Sequence, residues 1–526
     1  MNFPIGIANH LESLPASSPV DAARELLQRY MKDYNLPGLA VSVVAGGDVV
    51  LAEGFGTQRI DCPSELVASN TLFEIGSVSK VFIALGIGIL VDQGKAKWDD
   101  SVKTHLPWFQ LQDKDAEMNT TLTDLLAMRS VLGASQGDIA WTFGVFDSER
   151  SIVERLAALD TTGRTRTSGF AYANANYEVL GQVLEAVSGQ CWPEFLRENV
   201  WIPLEMHDTV GHVYAATTGV AKGHFNGGDR VLGPYDIATS PTTVLMPGTN
   251  CVAAGSVLST AADMAKVVQF LLGDGHPLFA SPSILAKITT RHERNTRFSP
   301  VAATAWGYAP PTAPVHTGLG FTTIGDIVFG QKYAGKNGLT VAFSTELGLL
   351  PDAQVGVAVM ANARAMGGPM SNVFCLSRLH TQLLGIFLHI PDAELRIQED
   401  AAIAAANELP DVPCDDHYFG DQPWGSGETL PIATKKQLVG TYKSSHSPEF
   451  YGDLDIFLED KSDLDKSALM LRYGKVTAPL LATDKTDTLI WAAEFALQTI
   501  LFTLELSGDG AKTISGLGLR FVPSNP

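Results

Sequence analysis

The most continuous apolar segment of the chain runs from Val81 to Val91 and is followed by Gly94. Because its residues are apolar on every face, the segment predicts a helix that is buried on all sides. A glycine just beyond the last apolar residues is a typical helix end. Residues 20–34 place their apolar positions on one face at helical spacing, so we predict a second helix there that packs one side on a core.

Shorter apolar runs predict strands and further helices. Residues 39–44 and 49–53 flank the turn sequence AGGD, which is typical of a β-hairpin. Two later strands are predicted at 341–350 and 355–362, joined by the turn sequence PDAQ. Helical patterns lie between the two strand pairs and predict an all-helical insertion, and the long loops that follow it are expected to form much of a substrate cleft. The helices of the insertion are predicted at 122–130 and 151–159. The loops begin at 203, with turns at 227–229 and 246–248, and lead into another predicted helix at 261–272.

The last part of the chain has a different pattern. No Lys or Arg occurs between Arg396 and Lys435, and the middle of that stretch is rich in Pro, Gly and Asp, which predicts a linker. Beyond it, apolar residues alternate with polar ones and a turn is predicted at 507–510, which indicates an antiparallel sheet. We therefore predict three parts: a first domain at 1–395, an acidic Pro/Gly-rich linker at 396–433 and a β domain at 434–526.

Composition narrows the classes of function. The 526 residues are 45% hydrophobic and 18% charged, which is typical of a globular protein with more than one domain. A net charge of −20 argues against nucleic acid or an anionic membrane as the main partner. Residues 1–23 lack both Lys and Arg and a continuous apolar stretch, and 81–91 is too short to span a bilayer. We therefore expect a cytoplasmic protein without a signal peptide.

Known cofactor motifs are missing from the sequence. The five cysteines are scattered without C-x-x-C spacing, so we expect free thiols in a reducing compartment. The twelve histidines form no recognised metal-binding motif, and no Rossmann or P-loop glycine pattern occurs. The sequence thus predicts neither a metal site nor a cofactor.

The sequence SVSK at 77–80 opens the buried helix and is the only S-x-x-K in the chain. Residues at i and i+3 share one helix face, so Lys80 can reach the Ser77 hydroxyl. Serine is a weak nucleophile unless a neighbouring group takes its proton, and the helix N-terminus favours the negative charge that develops there. Alternatively, Ser77 is a helix cap and Lys80 a solvated residue of the first turn.

Two further triplets could complete such a site. The only Y-x-N, at Tyr172 and Asn174, lies on a loop before a predicted helix, and alternation puts both side chains on one side. The phenol could move a proton and the amide could hold Lys80 or a substrate carbonyl, although a packed tyrosine with an asparagine cap fits as well. The only K-x-G begins at Lys336, which we expect at a sheet edge facing a cleft, or else in a hairpin turn.

Rival assignments exist for two of these motifs. The sequence HTG at 316–318 could replace the K-x-G, but we prefer Lys336 because the paired strands follow it directly. The sequence GASQG at 133–137 is a formal G-x-S-x-G, which would make Ser135 the nucleophile. Because the corresponding elbow needs a strand before the serine and a helix is predicted here, we interpret this segment as a flexible loop.

S-x-x-K, Y-x-N and K-x-G in this order resemble the serine β-lactamase and penicillin-binding-protein superfamily. The local sequences FEIGSVSK, YAN and KNG, the last followed by LLPDAQVGVAVMAN, are most similar to the class C branch. The resemblance covers residues 20–390. That branch includes carboxylesterases, D-aminopeptidases and lovastatin-type acyltransferases. The resemblance implies an α/β (α+β) fold, with an antiparallel sheet flanked by helices and an all-helical subdomain. The sequence LVGTY at 438–442 resembles the opening of a lipocalin-like barrel found in some members.

The resemblance also implies a role for each motif residue. Ser77 would attack a carbonyl while Lys80 and Tyr172 handle its proton, and Asn174 would orient Lys80 and the substrate. Lys336 would keep Tyr172 poised as a base and attract an anionic group. The other expected contributors are Asn337 and Gly338 in substrate binding, and the backbone N–H groups of Ser77 and Leu339 as an oxyanion hole.

Two departures from the family pattern bear on the substrate. Asn337 stands where β-lactamases usually have a hydroxyl residue, and the E-x-x-L-N element of class A enzymes is missing. We therefore expect a serine hydrolase or acyltransferase that acts on an ester, thioester or amide of a small molecule through an acyl-serine. The alternatives are a D-aminopeptidase or β-lactamase, and a non-catalytic binding protein on the same fold. The expected partners are a small-molecule acyl donor and an acyl acceptor, and the sequence indicates no oligomeric state.

Overall fold

The computed structural model describes residues 18–217, 219–239, 252–459, 467–494, 497–506 and 512–524. The helices are α1 Pro19–Asp33, α2 Ser79–Asp92, α3 Val102–His105, α4 Lys114–Asn119, α5 Leu122–Leu126, α6 Asp138–Thr142, α7 Glu149–Arg155, α8 Ala175–Ser188, α9 Trp192–Leu196, α10 Ala261–Leu272, α11 Pro282–Thr289, α12 Pro300–Ala305, α13 Met370–Val373, α14 Cys375–Phe387, α15 Asp392–Asn407, α16 Ile432–Leu438 and α17 Pro448–Tyr451. The strands are β1 Gly38–Ala45, β2 Asp48–Gly56, β3 Phe73–Glu74, β4 Gly223–Asn226, β5 Val231–Tyr235, β6 Leu258–Ser259, β7 Thr323–Val328, β8 Gln331–Leu339, β9 Ser344–Leu350, β10 Val355–Ala361, β11 Arg364–Ala365, β12 Gly440–Ser444, β13 Asp453–Leu458, β14 Leu469–Tyr473, β15 Val476–Ala482, β16 Thr488–Trp491, β17 Ile500–Leu506, β18 Lys512–Gly516 and β19 Leu519–Pro523.

Within the described residues, six strands form an antiparallel sheet in the order β2-β1-β10-β9-β8-β7. Side chains alternate between its two faces, so Leu39 and Val41 join a core with α1 and α14 while Ala40 joins the core that contains α2. The predicted hairpin at 39–53 is confirmed as β1 and β2. The fold class that the sequence predicted, an antiparallel sheet flanked by helices, is confirmed as well.

The buried helix is α2, in which every residue from Ser79 to Leu90 is buried. A 3-10 turn at Gly76–Val78 leads into it, and Gly94 after its end has the left-handed backbone conformation that favours glycine. Helices α8 and α11 pack directly against α2. The predicted all-helical insertion is present as α3 to α7, and α8 follows the loop that carries Tyr172.

Two predicted boundaries need correction. The sequence KNG at 336–338 does not precede the first late strand but lies inside a strand of its own, β8, and the next strand begins only at Ser344. The glycine and polar residues near the end of β8 show no hydrophobic alternation, so the sequence pattern does not predict a strand there. Packing against neighbouring elements stabilises the strand. The region at 203–272 also contains short strands, β4 to β6, although the predicted turn at 246–248 lies outside the described residues.

The last eight strands, β12 to β19, close into a barrel within the described residues. Its interior is filled by alternating apolar residues such as Leu454, Leu471 and Phe502, and this architecture fits the predicted lipocalin-like domain. The turn predicted at 507–510 lies outside the described residues. Part of the segment predicted as a linker is helical, because α15 extends to Asn407. Nowhere in the described ranges does a helix combine the length and apolar character needed to cross a bilayer.

Candidate active site

Ser77 and Lys80 are joined by a hydrogen bond at the start of α2. Ser77 lies in the 3-10 turn, and the Lys80 ammonium one turn along donates to its hydroxyl oxygen with an Nζ–Oγ distance of 2.9 Å. Lys80 has no solvent exposure, whereas the Ser77 side chain lines a cavity. The reactive pair of the S-x-x-K motif is therefore in contact, with the serine on the accessible side.

Two further oxygen atoms hold the Lys80 ammonium. Lys80 Nζ donates to Asn174 Oδ1 at 2.9 Å and to the Ala254 carbonyl oxygen at 2.6 Å. With Ser77, these acceptors use all three N–H bonds of the ammonium group, so its direction is fixed. The contact between Asn174 and Lys80 is one of the two that the sequence allowed for this amide, the other being with a substrate carbonyl.

The Tyr172 phenol lies between two ammonium groups. Lys80 Nζ is 5.2 Å and Lys336 Nζ is 5.3 Å from the centroid of the Tyr172 ring. Burial raises the pKa of Tyr172, but the charges of Lys336 and Lys80 and hydrogen bonding with Ser77 outweigh it and lower the pKa to about 7. Burial lowers the pKa of Lys336, and the neighbouring phenol opposes this shift. A phenol with such a pKa can take up and return a proton near neutral pH.

Strand β8 brings Lys336 to the site by passing close to the turn that carries the serine. Strand β7 begins opposite Gly335, so residues 336–339 extend beyond it along a local edge of the sheet. Glycine is required at 338, because a Cβ atom there would lie 2.0 Å from the Ile75 carbonyl oxygen and 3.2 Å from the Ser77 nitrogen. Leu339, whose backbone is the second predicted oxyanion donor, adjoins Gly76 in the same contact. The expectation that Lys336 faces a cleft from a sheet edge agrees with this geometry.

The cavity at Ser77 has a volume of about 840 Å³ and is wide enough for a small-molecule ester or amide. Aromatic rings and three cationic side chains contribute to its wall. Of these cations, Arg297 is exposed and has its guanidinium carbon 5.7 Å from the Tyr172 ring centroid. The aromatic and cationic lining residues are Trp141, Phe170, Tyr172, Phe298, Trp306, Tyr308, Tyr333, Phe374, Arg297, Lys336 and Arg364.

The rival motifs take other places. Ser135 also lines the cavity, and its backbone N–H donates to the Tyr172 carbonyl oxygen at 2.9 Å. It lies in a loop between α5 and α6 instead of following a strand, so it does not form a nucleophile elbow. Thr317, at the centre of the HTG sequence, is buried and donates to the Ala127 carbonyl oxygen. The geometry supports Ser77 and Lys336 over these alternatives.

Sequence reasoning missed two groups that contact the site. Asn174 Nδ2 donates to Asp138 Oδ2 at 2.7 Å, and the Ala254 carbonyl binds Lys80. Neither has a sequence signal, since a backbone carbonyl carries none and the Asp138 position is far from both partners along the chain. Among the residues that the structure describes, no group of three or more His, Cys, Asp and Glu side chains could hold a metal ion.

Comparison with solved structures places this fold among known ones. It superposes on an octameric penicillin-binding protein homologue from Pyrococcus abyssi with a TM-score of 0.57 and 19% identity, covering 96% of this chain and 99% of that one. A D-amino acid amidase from Ochrobactrum anthropi gives a TM-score of 0.56 at 18% identity, with 70% and 99% of the two chains covered. EstCE1, a hydrolase with promiscuous acyltransferase activity, gives 0.57 at 19% identity, with 70% and 98% covered.

Curated relatives match over shorter lengths. Penicillin-binding protein 4 of Amycolatopsis lactamdurans is 28% identical over 268 residues, 49% of this chain and 65% of that protein. Protein flp of Staphylococcus aureus is 27% identical over 218 residues, 38% of this chain and 43% of that protein. The chain thus spans about half the length of the curated relatives that it matches.

The family itself is defined by a longer match. The sequence profile named Beta-lactamase covers residues 23–372, which includes β1, the turn with Ser77, helix α2, the Tyr172 loop and strand β8. Members of this superfamily are serine hydrolases, and the solved neighbours include a D-amino acid amidase and a hydrolase with promiscuous acyltransferase activity. The chain therefore belongs to the Beta-lactamase family, with an eight-stranded barrel after its family domain.

Proposed function

We propose that this protein is a serine hydrolase or acyltransferase that acts on a small-molecule ester, thioester or amide through an acyl-Ser77 intermediate. The observation that carries the proposal is the 2.9 Å contact between Lys80 Nζ and Ser77 Oγ, beside a phenol whose pKa is about 7. Ser77, Lys80 and Tyr172 form one hydrogen-bonded group, in which the phenol can accept the proton of the Ser77 hydroxyl.

In the proposed first step, Ser77 Oγ forms a bond to the substrate carbonyl carbon and loses its proton to the Tyr172 phenolate, while the Lys80 ammonium keeps the serine oxygen and the phenol in place. The carbonyl oxygen gains the negative charge, and the backbone N–H groups of Ser77 and Leu339 would stabilise it. When the intermediate collapses, the bond to the leaving group breaks and that group receives the proton. The products are an acyl-serine and a free alcohol, thiol or amine.

In the second step, water or another acceptor attacks the acyl carbon and gives its proton to the Tyr172 phenolate. The bond to the Ser77 oxygen then breaks, and that oxygen regains a proton from the phenol. The cavity of about 840 Å³ has room for an acceptor beside the acyl group. Esterase-type chemistry is favoured over β-lactam hydrolysis because Asn337 replaces the usual hydroxyl residue. D-aminopeptidase and β-lactamase activities remain the alternatives, and both would use the same residues. A cytoplasmic location also remains a prediction.

The test is covalent labelling. The protein is incubated with a fluorophosphonate or a p-nitrophenyl ester, and the modified peptide is identified by mass spectrometry. We expect one adduct on the peptide that contains Ser77, and no adduct in Ser77→Ala. Ser135→Ala is the matched control, because Ser135 lines the same cavity and should leave labelling unchanged. An adduct on Ser135 would mean that the nucleophile is assigned wrongly, and a complete lack of labelling would favour the non-catalytic alternative.

A further inference from the structure

Asp138 lies directly behind the amide that orients Lys80. It is the first residue of α6, and its Oδ2 accepts a hydrogen bond of 2.7 Å from Asn174 Nδ2. On the other side of the amide, Asn174 Oδ1 accepts from Lys80 at 2.9 Å. The three side chains form a continuous chain of hydrogen bonds from the carboxylate to the ammonium that contacts Ser77.

The chemistry of the two end groups fixes the direction of the amide between them. An ionised carboxylate only accepts hydrogen bonds and an ammonium only donates them. Asn174 can satisfy both at once in a single orientation, with Nδ2 toward Asp138 and Oδ1 toward Lys80. If the carboxylate were absent, the amide could turn over and present its NH₂ group to the ammonium, which would cost Lys80 an acceptor.

The barrel holds the segment that carries Asp138. Phe143, which follows α6, has no solvent exposure and belongs to the core of the barrel, not to the core around α2. Its ring centroid is 5.4 Å from that of Trp491 and 5.9 Å from that of Tyr473. The Phe143 carbonyl oxygen also accepts a hydrogen bond of 2.9 Å from the Lys475 backbone N–H. This residue therefore anchors the end of α6 inside the barrel.

The other end of α6 touches the barrel domain as well. Gly137, immediately before Asp138, has φ +87, and a Cβ atom there would lie 2.7 Å from the Phe450 ring. The Phe450 ring in turn packs edge-on against Phe146, with centroids 5.2 Å apart. Both ends of the short helix are thus enclosed, while Trp141 within it lines the cavity at Ser77.

We propose that Asp138 is a positioning residue of the active site, which directs the Asn174 carbonyl oxygen to Lys80, and that the barrel keeps Asp138 in place by enclosing Phe143. This inference rests on the proposed acyl-enzyme function. It gives the barrel a role in the chemistry of Ser77, although none of its residues needs to contact the substrate.

The first test is Asp138→Ala, with Asp138→Leu as a second variant of similar size, because an asparagine at 138 would still offer Asn174 Nδ2 an accepting oxygen. We expect kcat for p-nitrophenyl ester hydrolysis to fall about ten-fold, the scale of one hydrogen bond to a charged group, while KM changes less than two-fold. The rate of fluorophosphonate labelling at Ser77 should fall by a similar factor. A purely structural role would instead lower the melting temperature and the fraction of protein that the fluorophosphonate finally labels, and kcat per labelled site would keep its wild-type value.

The second test concerns the barrel. Phe143→Leu should lower kcat in the same way as Asp138→Ala, and the double variant should lose no more than the larger single effect, because both changes release the same amide. Phe502→Leu is the matched control, since Phe502 has no solvent exposure in the same barrel core and packs on Trp491. It should lower the melting temperature and leave kcat unchanged. If Phe143→Leu does not fold, Phe450→Leu replaces it.

The proposal is overturned in its first part if Asp138→Ala and Asp138→Leu both keep the wild-type kcat. It is overturned in its second part if Phe143→Leu behaves like Phe502→Leu, or if the losses from Asp138→Ala and Phe143→Leu multiply. Failure of the proposed function is a separate result, because then the wild-type protein itself would give no adduct at Ser77.

Discussion

The Lys336 ammonium nitrogen lies 5.3 Å from the centroid of the Tyr172 ring, on a buried strand that reaches the site from the far end of the family domain. Lys80 lies at almost the same distance, 5.2 Å. Two positive charges beside one phenol favour its ionised form, which is the form needed to accept a proton from Ser77.

This relationship predicts the pH dependence of the proposed reaction. Since the pKa of Tyr172 is about 7 and its phenolate is the base, kcat/KM for a neutral ester should rise with pH through about 7. Of the two charges that lower this pKa, that of Lys336 has the larger effect. Lys336→Met removes it, so the rising limb of the profile should move to higher pH by on the order of one unit. The measurement is a pH–rate profile of both proteins.

The matched control for that profile is Arg297→Gln. Arg297 approaches the same ring to 5.7 Å but is exposed, so solvent and salt screen its charge. Its removal should move the limb far less than Lys336→Met does. Equal shifts in the two variants, or none in Lys336→Met, would contradict the assignment of the base to Tyr172.

A second prediction concerns the close contact between β8 and the serine turn. Gly338→Ala would place a methyl group 2.0 Å from the Ile75 carbonyl oxygen, so the strand and the Gly76–Ser77 turn must separate. A displacement of about 1 Å among reacting groups can cost about 100-fold in rate, and we expect a loss of that size in the labelling rate of Ser77.

Gly163→Ala is the control for this substitution, because nothing lies within 4 Å of a Cβ at that position. It should leave labelling unchanged. The melting temperature of both variants separates a local displacement from global unfolding. Wild-type labelling in Gly338→Ala would show that the contact between strand and turn is not needed for acylation.

A third prediction concerns the choice of substrate. With Asn337 in place of a hydroxyl residue, nitrocefin should be hydrolysed at least about ten times more slowly than a p-nitrophenyl ester, as expected when one binding group for the drug is missing. Asn337→Thr should raise nitrocefin turnover and leave ester hydrolysis nearly unchanged. Rapid nitrocefin hydrolysis by the wild-type protein would support the β-lactamase alternative instead.

A fourth prediction concerns stability in the helical region. Hydrogen bonds from Lys103 and Lys114, followed by the backbone N–H of Leu111, lower the pKa of Glu117 to about 2 from 4.5. A lowered folded-state pKa means that this carboxylate stabilises the fold above about pH 4.5 and loses its contribution as the pH falls toward 2. Glu117→Gln should therefore lower the free energy of unfolding at pH 7, and the difference from wild type should shrink toward acid pH.

Urea unfolding at several pH values measures this difference. Glu154→Gln is the control, because the ion pair between Glu154 and Arg150 is about half exposed on both sides and should contribute little at any pH. A difference for Glu117→Gln that stays constant with pH would contradict the role given to its charge.

The sequence carried much of the candidate site. S-x-x-K, Y-x-N and K-x-G are local patterns, and the ordered set led to Ser77, Lys80, Tyr172, Asn174 and Lys336, which the structure brings around one cavity. The catalytic roles of these residues stay predictions. The buried helix, the first hairpin and the C-terminal β region could also be predicted from the sequence, because each has the hydrophobic period of its own secondary structure.

What the sequence by itself determined about this protein was therefore the identity of its candidate site residues and the period of its longer elements. The tertiary structure decided which groups complete the site. The strand character of 336–339 depends on packing beside Ile75, and the pKa of Tyr172 depends on two charges brought together from distant segments. The positions of Asp138 and Phe143 depend on contacts between distant residues, which fix α6 between Asn174 and the barrel. No local sequence pattern encodes such contacts.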